Sequence, residues 1–133
     1  MSGSNLTGAN LSRVDLTEAN LTNANLTDAN LTDANLVGAI LTDAKLTNTN
    51  LSGVKLSYSN INGADISGAV LQDAHLNSSK IVNSKISNSD MTGANLYNAD
   101  LTGTKVSKET LKDAVLCKTI MPSGQQDDSG CKR

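Results

Sequence analysis

Leu6, Leu11, Leu16 and Leu21 open a series in which an aliphatic residue returns at every fifth position and runs without a slip to Leu111 and Leu116. Its later members include Ile61, Ile66, Ile81, Ile86, Met91 and Val106. Two positions ahead of each stands a small residue: Ala9, Val14, Ala19 and Ala24 early on, with Thr49, Ser59, Ser79, Ser84, Ser89 and Thr104 as later variants. Most of what lies between is polar or glycine. On an α-helix five residues turn through about 500°, so successive leucines would step ~140° around the axis and form no apolar stripe. On one continuous strand an odd spacing would send alternate leucines to opposite faces. The pattern makes sense if each Ala and Leu pair points inward from a short extended segment and the remaining residues turn a corner. Each pentapeptide is then one side of a coil.

Stacked coils would pair side on side as narrow parallel sheets, ~4.8 Å apart. The period alone leaves three or four sides per coil open. Ile61 with Ile81 and Ile66 with Ile86, each twenty residues apart, lean towards four. About five coils follow, stacked over roughly 25 Å.

The strings "ANLTD" and "ADISG" resemble the motif of the pentapeptide-repeat proteins: a small residue, Asn or Asp, an aliphatic or Phe, Ser or Thr, then a variable position. The resemblance covers about residues 4–118. It implies an all-β solenoid, the right-handed, four-sided parallel β-helix of that family, with the Leu and Ala positions inward. A central Phe is absent throughout, which implies a uniform, narrow interior.

Glu109 falls where the register needs a small inward residue. An unpaired carboxylate in an apolar core costs several kcal/mol, so the coil is expected to distort there. The 133-residue chain therefore reads as one domain: coils over 4–105 and a short helical or irregular C-terminal cap over 106–133. Such caps shield the apolar end of a solenoid. Both cysteines, Cys117 and Cys131, sit in this cap around Pro122, Gly124 and Gly130. A disulfide between them is expected, the alternative being two reduced thiols. "LCKTIMPSG" also resembles the ending of cyanobacterial members of the family, including ones exported to the thylakoid lumen. That favours an oxidising compartment, the thylakoid lumen or a periplasm, for a mature form without its signal peptide; a cytoplasmic location is the alternative.

With no Phe or Trp, two Tyr and one Pro, small aliphatics must fill the interior. The net charge of −2 offers no basic patch for nucleic acid, and no apolar run suffices for membrane insertion. No cofactor, metal or catalytic constellation is legible. The single histidine, His75, is placed outward without a second ligand, and Asp28, Asp33 and Asp43 stand at corners of successive sides rather than around a cleft. Asn-Leu-Thr triplets such as Asn20-Leu21-Thr22 match a glycosylation sequon, but the repeat itself generates them.

A twenty-residue register stacks Lys45, Asp65, Lys85 and Lys105 in one column and Asp33, Asp73 and Asp113 in another. It also places Tyr58, His75 and Tyr97 on the side centred on Leu16, which marks that side as the candidate interaction face. The functional expectation is a non-enzymatic structural or interaction module that presents rigid, flat faces to an unknown protein partner, with homo-oligomerisation through the N-terminal coil as a further expectation. Two alternatives come from other classes. One is a DNA-mimicking gyrase binder, known in the family, which Lys45, Lys55, Lys80, Lys85, Lys105 and the low net charge disfavour. The other is small-ligand binding, which needs a pocket that a leucine-packed interior does not leave.

Overall fold

A computed structural model describes residues 1–131. Parallel bridges join residues twenty apart along the chain, from Asn5 with Asn25 to Asp100 with Ile120. Four pentapeptides therefore close each coil, and the fold is a right-handed quadrilateral β-helix. Its four faces are named here by their first central residues, Leu6, Leu11, Leu16 and Leu21. Each face contributes a single bridged residue per coil rather than an extended strand. The corners begin at once, because five residues must both span a side and turn it.

One repeat shows how the backbone is satisfied. Leu26 N–H donates to the Lys45 carbonyl at 2.7 Å and Asp28 N–H to that of Thr47 at 3.0 Å, while Asn25 N–H donates to Ser4 in the preceding coil at 2.9 Å. Ala29 N–H closes the corner onto the Leu26 carbonyl at 3.0 Å, and Asp28, third in that four-residue turn, has φ 62°. A positive φ at the third position alone defines a type II turn. Asn, Asp and Gly dominate this position because they tolerate the left-handed region best.

The Asn or Asp before each central residue has a second task. Asn25 Oδ1 accepts from both the N–H of Thr27, at 3.1 Å, and its Oγ1, at 2.7 Å, and Asn20 and Asn30 repeat the arrangement with Thr22 and Thr32. The Asn-Leu-Thr string is thus a turn device: the side chain supplies an acceptor where the chain leaves the ladder.

Inside, Leu21 to Leu101 are buried at nearly every central position, with Ala24, Ala29, Ala34 and their equivalents between them. Leu6, Leu11 and Leu16 of the first coil are half-buried. Where hydroxyls replace alanine they stay inside by bonding carbonyls: Thr49 Oγ1 to Leu26 at 2.7 Å, Ser84 Oγ to Ile61 at 2.7 Å and Thr119 Oγ1 to Leu96 at 2.7 Å. Among the described residues no buried side-chain polar atom lacks a partner. This matters because an unmade bond in so narrow a core would cost about 1–3 kcal/mol.

At Glu109 the coil does distort. Residues Lys108–Leu111 form the single turn α1, capped by Ser107, whose Oγ accepts from Thr110 N–H at 3.2 Å. Glu109 is exposed and pairs with Lys112 at 2.8 Å. The ladder then resumes, with Asn95 bridging Val115 and Asp100 bridging Ile120, so coil pairing runs past residue 105, where the sequence alone places its end. Helix α1 is consequently a bulge in one face rather than a lid over the stack. The closing element is a hairpin of β1 (Thr119–Ile120) and β2 (Gln126–Asp127). Beyond it Gly130 N–H donates to the Leu116 carbonyl at 2.7 Å, and Cys117 is bonded to Cys131.

Candidate interaction face

The Leu16 face carries the three residues singled out from the register. Along it Lys55, His75, Asn95 and Val115 form one bridged column, with His75 exposed. Tyr97 sits just after central residue Leu96, 41% exposed, and Tyr58 occupies a corner, 68% exposed. All three face solvent on one side, but they do not form a single cluster: Tyr58 and Tyr97 lie two coils, about 10 Å, apart along the stack.

Tyr58 is held at φ 60°, its N–H donating to the Asn77 carbonyl at 3.2 Å. A bulky residue in the left-handed region costs roughly 1 kcal/mol or more, and every other turn corner of this face offers a smaller or straight-chain alternative. The fold gains nothing visible from an aromatic there, since the ring is in water.

Tyr97 has structural company. Lys118 Nζ lies 5.9 Å from its ring centroid, within cation–π range. A cleft of about 490 Å³ beside the ring is lined by Asn95, Val115, Cys117, Gly130 and Cys131. The disulfide thus opens onto the same face as the tyrosines. Cys117 is twenty residues beyond Tyr97, and Lys118 sixty beyond Tyr58, so the register already held this placement, although the cysteines invite reading only as a bracket. Val115, 42% exposed, extends the apolar area. Asp128 comes within 4.8 Å of the two sulfurs, but these are consumed in the bond to each other and offer no thiolates.

The remaining faces are more polar. On the Leu6 face Lys45, Asp65 and Lys85 bridge in sequence, and Asp65 is held below the usual carboxylate range, chiefly by the Ser67 hydroxyl, with Lys85 and Lys45 adding to it. On the Leu11 face Asp33 and Asp73 alternate with Gly53 and Gly93 along a corner. Ile40, 39% exposed, stands alone on the Leu21 face. No helix among the described residues is long and apolar enough to cross a membrane.

A corner-turned solenoid with a filled core defines a structural repeat protein whose chemistry is confined to its outer faces. The model of the pentapeptide repeats matches residues 4–43, 34–73, 69–108 and 94–122, and the chain belongs to that family. A pentapeptide repeat protein, Rfr23, from the cyanobacterium Cyanothece 51142 is 31% identical, with 80% of this chain and 86% of that one covered at a TM-score of 0.78. A second, from the thylakoid lumen of Arabidopsis thaliana, is 28% identical over 81% of this chain and 68% of its own, with a TM-score of 0.46. HetL of Nostoc sp. strain PCC 7120, involved in heterocyst differentiation regulation, is 26% identical over 96% and 80%, with a TM-score of 0.43. No curated protein matches the sequence.

Proposed function

We propose that the chain is a non-enzymatic interaction module that presents the Leu16 face to a protein partner. The observation that carries this reading is Tyr58: an exposed aromatic kept at a corner where the backbone penalises it. Tyr97, its Lys118 neighbour and the cleft beside the disulfide supply a second anchor on the same face. Exposed tyrosines with adjacent apolar surface suit an interface because they bury large area at low entropic cost. The disulfide favours a compartment that keeps thiols oxidised. Affinity capture from the native compartment with the wild-type chain and with a Tyr58→Ser/Tyr97→Ser variant tests the reading. The variant is expected to lose a partner that the wild type retains; capture of the same set by both would remove it.

A further inference from the structure

Where the Leu6 face turns into the Leu11 face the ladder stops one coil early: Lys85 still bridges Lys105, but Asp90, in the Leu11 column, bridges only Val70. Elsewhere corner and central N–H groups donate to the next coil, as Asp73 does to Thr92 at 2.9 Å and Leu71 to Asp90 at 2.6 Å. Over residues 86–91 the covering segment has swung out into α1. Among the described residues the N–H groups of Asn88, Ser89 and Met91 and the carbonyl of Ser89 have no partner. Thr110 N–H, which the register would aim at that carbonyl, donates to Ser107 Oγ instead. By the register, the Asn88 N–H, the Ser89 carbonyl and the Met91 N–H would each pair with the next coil, which leaves a donor, an acceptor and a donor open around one corner. Asn88 and Ser89 border a cleft of about 510 Å³ whose walls also include Ile86, Lys105, Val106, Ser107 and Glu109.

We propose that this edge receives an extended segment of a partner protein as an added strand, with a small side chain over Ser89 and a basic one over Asp90. The backbone pattern is that of an open sheet edge, which native proteins normally pair or blunt. Pairing by an incoming strand supplies main-chain hydrogen bonds, and its side chains set the register. The small residue follows from Glu109. The register assigns it the inward seat over Ser89, but it stands in solvent paired with Lys112, so that seat is vacant. The basic residue follows from the chain's own habit. Inside the stack Asp65 lies beside Lys45 and Lys85, and Asp100 beside Lys80; of the other bridged aspartates Asp15 pairs with Asn35, and Asp90 bridges only Val70 below it. Lys105 and Glu109 are the charged residues that line the cleft. Leu111 is already back in the core, so the added strand has only the span of 107–110 to fill and enters from the open end of the stack. This edge lies at the turn from the Leu6 face to the Leu11 face, outside the tyrosine-bearing Leu16 face, and either proposal can fail without the other.

The probe is the blocked peptide acetyl-Gly-Thr-Asp-Ala-Lys-Gly-amide, whose central four residues copy 42–45 of this chain. Titrated into the isotope-labelled full chain, it is expected to give saturable amide shifts at Asn88 and Met91. Replacing its alanine by glutamate is expected to abolish them, and Asp90→Asn in the protein to weaken binding roughly fivefold. The proposal is overturned if those amides do not shift at millimolar peptide, or if the glutamate peptide binds equally well. It is also overturned if, in the free chain, Asn88 and Met91 exchange as slowly as Leu71 and Asp73, because the edge would then already be paired.

Discussion

The carboxylate of Asp33 lies across the bare Cα of Gly53, one coil further along the same corner. Asp43 with Gly63, Asn48 with Gly68, and Asp73 with Gly93 repeat the relationship. Glycine at these corners therefore answers two demands, a positive φ and space for the oxygen beneath it. Gly53→Ala meets both penalties and is expected to cost about 1–3 kcal/mol. In an Asp33→Gly background the collision is gone and only the backbone term remains. Chemical denaturation of the single and double variants measures the difference, and equal costs in both backgrounds would refute a steric coupling.

Tyr58→Gly is expected to stabilise the fold by about 1 kcal/mol, because it relieves a bulky, largely exposed residue at φ 60°. The same change should weaken partner capture. A gain in melting temperature together with a loss of binding is the signature of a residue kept for recognition; a loss in melting temperature would show the ring to be structural.

Cys117→Ser/Cys131→Ser releases a loop whose ends are 14 residues apart, a closure worth about 3 kcal/mol in the chain-entropy view. Gly130 and the hairpin should fray first. Hydrogen exchange is expected to accelerate from Leu116 onward while the amides of Leu26 to Leu76 keep their protection. Uniform acceleration along the chain would mean that the bond stabilises the whole stack.

Four aspartates that cap turns are held below the ordinary carboxylate range, three of them in the coils: Asp15 by the Thr17 hydroxyl and then its N–H, Asp65 chiefly by the Ser67 hydroxyl, and Asp90 by the Thr92 N–H and hydroxyl, with Asp127 in the tail held by Ser129. A lowered folded-state value means that the stability is present above the unfolded value of about 3.9 and is lost as the pH falls through the folded one. The melting temperature should be flat near neutrality and drop below about pH 4. Asparagine keeps the accepting Oδ1, as Asn25 and Asn30 show. Asp15→Asn/Asp65→Asn/Asp90→Asn should therefore flatten the acid limb with little change at pH 7, and an unaltered limb would exclude these groups as its source.

Much of this architecture is legible in the sequence because side and corner each impose a residue type at a fixed position. Leu26 must be apolar, Ala29 must be small, and Asp28 must tolerate a left-handed backbone. Glu109 announces its own bulge, since no inward seat accepts a carboxylate. The Asn25 and Thr27 bond was less accessible, because a polar residue on a solvent-facing position looks like mere cover. Resumption of the ladder at Val115 was hidden for another reason. It depends on how far α1 displaces the chain, which composition does not encode. On the candidate face Tyr58 and Tyr97 could be placed by arithmetic, whereas the cleft beside Tyr97 arises from how the tail folds back on Leu116 through Gly130, a tertiary event with no periodic trace.

Because every parallel bridge among the described residues joins residues twenty apart, no coil holds together without the one before or after it. The smallest cooperative seed is two full turns of chain, and growth from it is templated: each finished coil offers its carbonyls and its leucine platform to the next. For a chain emerging from the ribosome this makes assembly vectorial, with the leading coils set before the cysteine-bearing tail exists. The tail then acts as a clasp, locking a rod already built rather than directing its construction.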